Sequence, residues 1–238
     1  MVEQTNKVSN ASGKITYRFQ TPAHPGRILY VNLVSNYACI NDCLFCSRPR
    51  GREDIGNPNI YETKAGTSLY LPTLPPLEEI MDHIRSGIRP TDSEVAIVGL
   101  GEPLIHLPTI IDTIRGVKAE YEVRTRVDTN GLAKCMHHQP AERLRQAGLD
   151  EIRISLNATN EQEYATLCRP RFKNAFQNLI GFIGDCLETG LDTHVSFVVG
   201  FDYPGITRMT DTDLIEYAKR IGVKEDKIIL RHYIAPEA

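Results

Sequence analysis

Short apolar runs alternate along the chain with longer segments in which apolar residues recur every three or four positions. The short runs predict strands at 28–34, 94–98, 123–128, 151–156, 193–199 and 227–233. The longer segments, most of them followed by glycine, predict helices at 76–86, 108–121, 140–147, 175–189 and 211–221. Strands that alternate with helices in this way predict a parallel sheet joined by right-handed crossovers.

Several of the predicted strands are apolar on one face only. In the third strand Arg124, Arg126 and Asp128 share a face, and in the fifth His194 and Ser196 do. A doubly wound sheet, covered by helices on both sides, would have strands that are apolar throughout. We therefore predict an α/β fold, an open partial TIM-type (β/α)6 barrel with parallel strands and a polar lumen. The lumen residues either contact a substrate or form a self-satisfied ion network.

Length, charge and cysteine content narrow the class of protein. The chain of 238 residues suits one domain, and its net charge of −3 does not indicate nucleic-acid binding. We expect the polar residues 1–14 to form a flexible tail before a single core domain over 15–238. Six cysteines without a signal peptide argue against a secreted disulfide framework, and no apolar run is long enough to span a membrane. The expected compartment is the cytoplasm.

Cys39, Cys43 and Cys46 follow the first predicted strand in the spacing C-x3-C-x2-C. Thiolates are soft ligands that suit zinc or iron–sulfur clusters. Structural zinc sites need four ligands, and no fourth partner is evident nearby. Three thiolates instead suit a [4Fe–4S] cluster that keeps one iron open. A zinc knuckle and free thiols are the alternative interpretations.

The segment from Cys39 to Cys46, with its aromatic residue before the last cysteine, resembles the cluster motif of the radical S-adenosylmethionine (radical SAM) superfamily. The resemblance implies a [4Fe–4S] cluster, S-adenosylmethionine (SAM) as cosubstrate, and Phe45 against the adenine. The resemblance extends from about Arg27 to Val199 and is closest to the TatD-associated radical SAM proteins. It includes the segments LYVNL, GLGEPL, TNGL, ISLNATNEQEY, LCRP and SFVV. The 49–69 stretch and the tail after Val199 depart from that group, whose substrate the resemblance does not supply.

The distinctive turns of the chain follow the predicted strands, at the barrel rim where such enzymes carry their chemistry. The segment 99–103, GLGEP, resembles the superfamily's GGEP motif with a leucine inserted. In this segment Gly99 and Gly101 allow the backbone to approach a ligand closely. A backbone carbonyl or the Glu102 carboxylate would accept a hydrogen bond from the methionine ammonium. An ordinary strand-to-helix turn is the alternative.

Further SAM contacts follow from the same resemblance. Ser155 and Asn157 lie on the lumen face of the fourth predicted strand, where the superfamily contacts the ribose, and Asn130 is a similar case. Arg169 would bind the methionine carboxylate bidentately, with Arg153 as its rival. Lumen-filling polar residues and a surface arginine are the alternatives.

The implied reaction is reductive cleavage of SAM to a 5′-deoxyadenosyl radical that abstracts hydrogen from an unknown substrate, a small molecule or a partner protein. It implies an electron donor such as flavodoxin or ferredoxin. The alternatives are an enzyme that activates a partner protein, a SAM- and cluster-binding sensor without turnover, and a zinc-stabilised interaction module. Arg48, Arg50 and Arg52 beside the cysteines would steer an anionic substrate or dock the donor, unless they belong to a solvated loop. We predict that the polar segment 47–75 forms an ordered loop or insertion.

Overall fold

The computed structural model describes residues 15–19, 27–49, 62, 68–204 and 209–234. Within them the strands are β1 (Thr16–Tyr17), β2 (Ile28–Val31), β3 (Glu94–Ile97), β4 (Arg124–Thr129), β5 (Glu151–Ser155), β6 (Asp192–Val199) and β7 (Ile228–His232). The helices are α1 (Leu77–Gly87), α2 (Leu107–Glu120), α3 (Pro140–Ala147), α4 (Glu161–Cys168), α5 (Ala175–Glu188) and α6 (Asp211–Arg220). The predicted tail 1–14, Arg50, Arg52 and most of the 47–75 loop lie outside the described residues.

The strands form one sheet in the order of the chain. Strands β2 to β6 each pair in parallel with the next strand along the sequence, which gives five parallel pairs ending at β7. A doubly wound sheet reverses its strand order, whereas this order never reverses, as in a TIM-type barrel. In the described part of the chain, the two outer strands β1 and β7 do not pair with each other. The predicted open (β/α)6 architecture is confirmed.

Two elements were not predicted from the sequence. Strand β1 pairs antiparallel with β2 and extends the sheet beyond the six parallel strands. It has two residues, too few to show an alternating pattern. Helix α4 has eight residues and is capped by Asn160, whose side chain accepts a hydrogen bond from the backbone N–H of Glu163. Its apolar pattern is equally short, so only the cap could have indicated it.

The two faces of the parallel sheet differ as the alternation predicted. Val95, Val127, Ile152 and Phe197 are at most 1% exposed and belong to the core cluster that the sheet forms with the helices. Burial of such apolar area supplies most of the driving force for folding. The opposite face lines the lumen with charged side chains. None of the described helices is both long and apolar enough to cross a membrane.

Candidate functional site

The cysteine loop follows β2 at the carboxyl end of the parallel strands. N–H groups point at two of its sulfur atoms: the backbone of Asn41 at Cys39 Sγ (3.5 Å) and that of Arg48 at Cys46 Sγ (3.4 Å). The side-chain amide of Asn130, from the loop after β4, lies 3.8 Å from Cys39 Sγ. Donors aimed at sulfur stabilise thiolates, so the loop suits anionic sulfur ligands.

Two of these thiols favour the protonated form, because the effects that raise their pKa values outweigh the nearby positive charge of Arg48. Burial, and next the nearby carboxylate of Glu102, raises the pKa of Cys39 to about 12. A hydrogen bond with the thiol of Cys168, and next burial, raises the pKa of Cys43 above its ordinary value. Metal ligation requires thiolate, so the cysteines release protons when they bind a metal centre.

The spacing of the sulfur atoms bears on the kind of centre that the loop can hold. The three Sγ atoms do not all lie within 4.8 Å of one another. Ligands of a single tetrahedral zinc ion, at about 2.3 Å from the metal, would lie about 3.8 Å apart. Asn41 Oδ1 and Ser47 Oγ beside the cysteines are buried without a hydrogen-bond partner among the described residues. The loop therefore fits a bound group larger than one ion.

Arg48 holds the cysteine loop in shape. Its guanidinium donates to the backbone carbonyls of Tyr37 (3.1 Å) and Asn41 (3.3 Å) and lies 3.7 Å from the carboxylate of Asp42. The side chain is only 13% exposed. For Arg48 the interpretation as part of a solvated loop is therefore wrong, because the guanidinium turns back onto its own loop.

The 99–103 turn packs directly against the start of the cysteine loop. A Cβ at Gly99 would lie 2.4 Å from Asn32 Oδ1, and one at Gly101 would lie 2.3 Å from the carbonyl oxygen of Ala38. The backbone N–H of Glu102 donates to the same Ala38 carbonyl (2.8 Å). Only glycine allows the two loops to approach so closely. The 99–103 turn therefore packs against the backbone of the residue that precedes Cys39.

The Glu102 carboxylate joins two loops of the rim. It accepts hydrogen bonds from the backbone N–H of Leu104 (2.9 Å), the hydroxyl of Thr129 (2.7 Å) and the backbone N–H of Asn130 (2.6 Å). The residue is 1% exposed, and burial outweighs these three donors, raising its pKa to about 7. Because its oxygens already have protein donors, the geometry favours a backbone carbonyl of the turn as acceptor for an ammonium group.

Two of the residues predicted to contact SAM, Asn130 and Asn157, have side-chain partners within the protein. The Asn130 side-chain oxygen accepts from the backbone N–H of Leu132 (3.0 Å) while its amide faces Cys39. Asn157 adopts a left-handed conformation, φ 59°, and its side-chain oxygen accepts from the backbone N–H of Val198 (3.1 Å). Ser155 is half-buried on the lumen face of β5. Their contacts with SAM remain predictions.

Phe45 and Arg169 occupy different environments. The ring of Phe45 meets that of Phe201, which follows β6, edge to face at 5.8 Å between centroids, and Phe201 in turn meets Tyr233 at 4.9 Å. Arg169 ends α4 in a left-handed conformation and is exposed. The structure thus brings Phe45 into an aromatic group on the rim, whereas the Arg169 side chain faces solvent.

The lumen contains an ion network. Arg126 is 2% exposed; its Nε lies 2.6 Å from Glu94, and it also contacts Asp128. In the same lumen, Arg153 Nε lies 2.6 Å from Glu151, and Lys227 lies 2.7 Å from Asp192. The ligand atoms of Glu151, Asp192 and His194 lie within 4.8 Å of one another, but cations already pair both carboxylates. Of the two interpretations, the structure favours the self-satisfied network.

We expect Arg126→Met to destabilise the protein by about 3–5 kcal/mol, because two carboxylates lose their buried partner. The matched variant Arg124→Met, whose side chain is 53% exposed, should cost less than about 1 kcal/mol. Urea unfolding of the two variants and the wild type measures both values. Equal, small effects would show that the lumen is hydrated enough to tolerate the unpaired charges.

Residues 33–221 match the family model of the radical SAM superfamily. A curated relative, GTP 3′,8-cyclase of Alkaliphilus oremlandii (strain OhILAs), is 29% identical over 120 residues, 48% of this chain and 34% of its own length. HydG, the FeFe-hydrogenase maturase of Carboxydothermus hydrogenoformans, has a TM-score of 0.61 at 16% identity, covering 87% of this chain and 44% of its own. SuiB of Streptococcus suis has a TM-score of 0.56 at 16% identity, covering 86% of this chain and 40% of its own. The chain thus spans less than half the length of each.

The cysteine loop lies at the rim of a parallel, TIM-type sheet, where enzymes of this fold class carry their chemistry. The family match covers more than half of the sequence, and the chain belongs to the radical SAM superfamily. The cofactors of this superfamily are a [4Fe–4S] cluster and SAM, which is cleaved at the cluster. The spacing and donors of the cysteine loop described above fit such a cluster.

Proposed function

We propose that Cys39, Cys43 and Cys46 hold a [4Fe–4S] cluster whose open iron binds SAM, and that the chain is a radical enzyme. When bound and reduced, the cluster supplies one electron to the sulfonium of SAM, whose carbon–sulfur bond breaks to give methionine and a 5′-deoxyadenosyl radical. That radical abstracts hydrogen from the substrate. The observation that carries the proposal is the convergence of the cysteine loop with the 99–103 turn and Asn130 at the carboxyl ends of β2, β3 and β4.

The remaining residues of the rim orient the cosubstrate in this proposal. Phe45 and Phe201 supply an aromatic wall for the adenine. Ser155 and Asn157 contact the ribose, and a carbonyl of the 99–103 turn accepts from the methionine ammonium. Arg169 binds the methionine carboxylate after its exposed side chain folds over the rim.

The partners are a one-electron donor and a substrate that remains to be identified. An acidic carrier such as flavodoxin or ferredoxin suits the exposed Cys46 and the exposed Arg171, whose backbone N–H donates to the carbonyl of Ile40 in the cysteine loop (3.0 Å). The substrate is a small molecule in the lumen or a partner protein that closes the open barrel. The ISLNATNEQEY and LCRP segments support membership of the TatD-associated group, and a reducing compartment such as the cytoplasm suits free thiols.

An anaerobic cleavage assay tests this function. The full chain is reconstituted with iron and sulfide, reduced with dithionite and mixed with SAM, and 5′-deoxyadenosine is measured by mass spectrometry. We expect about four irons per chain and release of 5′-deoxyadenosine. Four irons with bound but uncleaved SAM would favour the sensor instead. A colourless protein with one zinc ion would refute the proposal.

A further inference from the structure

A second cysteine lies directly behind one of the proposed cluster ligands. Cys168, the last residue of α4, is fully buried, and its thiol lies close enough to that of Cys43 to raise the pKa of Cys43. Nothing in the proposed reaction uses Cys168. Thiols are weak hydrogen-bonding groups, so a pair held at a ligand position needs a structural cause.

The backbone sets this pairing. The N–H of Asp42 donates to the carbonyl of Cys168 (3.0 Å), and that of Leu44 donates to the carbonyl of Leu167 (2.9 Å). The two bonds flank Cys43 on either side in sequence. The end of α4 is therefore fastened to the cysteine loop, and the contact between the two thiols is a fixed feature of the loop.

The thiol of Cys168 lies in buried surroundings. Tyr164, one turn earlier on α4, is 1% exposed, and its hydroxyl accepts a hydrogen bond from the Asn41 side-chain amide (3.0 Å). Burial, the largest cause, raises the pKa of Tyr164 above its ordinary value. In a buried site of low dielectric constant, each hydrogen bond to sulfur has a larger electrostatic effect than it would have in solvent.

We propose that Cys168 is a positioning residue that donates an S–H hydrogen bond to the Cys43 thiolate and thereby raises the reduction potential of the cluster. The inference rests on the proposed role of Cys43 as a ligand. Coordination removes the proton of Cys43, so Cys168 is the donor of the pair. Hydrogen bonds to ligand sulfur offset the negative charge added by an electron, and they are one of the determinants of cluster potential.

Two substitutions separate this role from packing. Cys168→Ala removes the donor, whereas Cys168→Ser keeps a donor of similar size. Cys186→Ala is the matched control, because Cys186 is also fully buried but lies in the last turn of α5. Iron content and a redox titration followed by electron paramagnetic resonance are measured on the reconstituted full chain for all four proteins.

At a fixed applied potential we expect the ratio of reduced to oxidised cluster to fall about threefold in Cys168→Ala, or about 28 mV at 59 mV per tenfold change. Cys168→Ser and Cys186→Ala should stay at the wild-type ratio or, for the serine, above it. Equal ratios in Cys168→Ala and Cys186→Ala would overturn the inference. Loss of iron in both Cys168 variants would also overturn it, because Cys168 would then be a ligand. A wild-type chain without a four-iron cluster would instead refute the proposed function.

Discussion

Cys43→Ala is expected to lose the iron–sulfur cluster, with iron falling from about four atoms per chain to less than one after anaerobic reconstitution. Cys43 lies in the middle of the cysteine loop, and neither Cys39 nor the exposed Cys46 can replace its thiolate. The fold should survive, because Cys43 lies at the rim and is a partly buried residue packed against the core cluster, not a member of it. Iron analysis measures the iron content, the visible absorption spectrum measures the cluster, and circular dichroism measures the fold.

Cys135→Ala is the matched control for that variant. Cys135 is a half-buried free thiol in the 3-10 turn after β4, outside the proposed ligand set. We expect this variant to retain about four irons per chain. A full cluster in Cys43→Ala, or its loss in Cys135→Ala, would contradict the assignment of the ligands.

Gly101→Ala is expected to destabilise the protein by about 3 kcal/mol or more and to reduce cluster occupancy. Gly101 has a φ of 133°, a conformation that side chains disfavour, and the added Cβ would lie 2.3 Å from the Ala38 carbonyl oxygen. That oxygen belongs to the residue before Cys39, so any relief of the clash moves the first ligand. Urea unfolding of the iron-free protein and iron counting after reconstitution measure the two effects.

Gly184→Ala is the control for the glycine substitution. Gly184 lies within α5, and a Cβ there would have no atom within 4 Å. Alanine in a helix interior should stabilise the protein by about 0.5–1 kcal/mol and leave iron binding unchanged. If Gly101→Ala were as well tolerated as Gly184→Ala, the close contact between the 99–103 turn and the cysteine loop would not exist in solution.

Periodicity in the sequence was enough to predict the sheet. Because Arg126 and Asp128 alternate with Thr125, Val127 and Thr129 along β4, the sequence shows a strand with one charged face. Strand β1 and helix α4 escaped prediction because two and eight residues carry too little pattern. Element type therefore follows from pattern only where an element is long enough to repeat it.

The locations of the candidate site residues were predictable, but their partners were not. The GLGEP motif indicates a turn at the rim, yet the hydrogen bonds of Glu102 to Thr129 and Asn130 depend on tertiary structure. The return of Arg48 onto its own loop and the pairing of Cys43 with Cys168 have no sequence signal either. Long side chains and contacts between distant segments are set by the fold, and single-sequence patterns do not record them.

A cluster on the cysteine loop with one iron open to SAM can be tested by electron paramagnetic resonance. The reduced, reconstituted full chain is measured before and after addition of SAM, with Cys43→Ala as the blank. We expect the spectrum of a reduced [4Fe–4S] cluster whose g values shift when SAM binds. A cluster signal that does not respond to SAM, or a protein that holds zinc and no iron, would contradict the assignment.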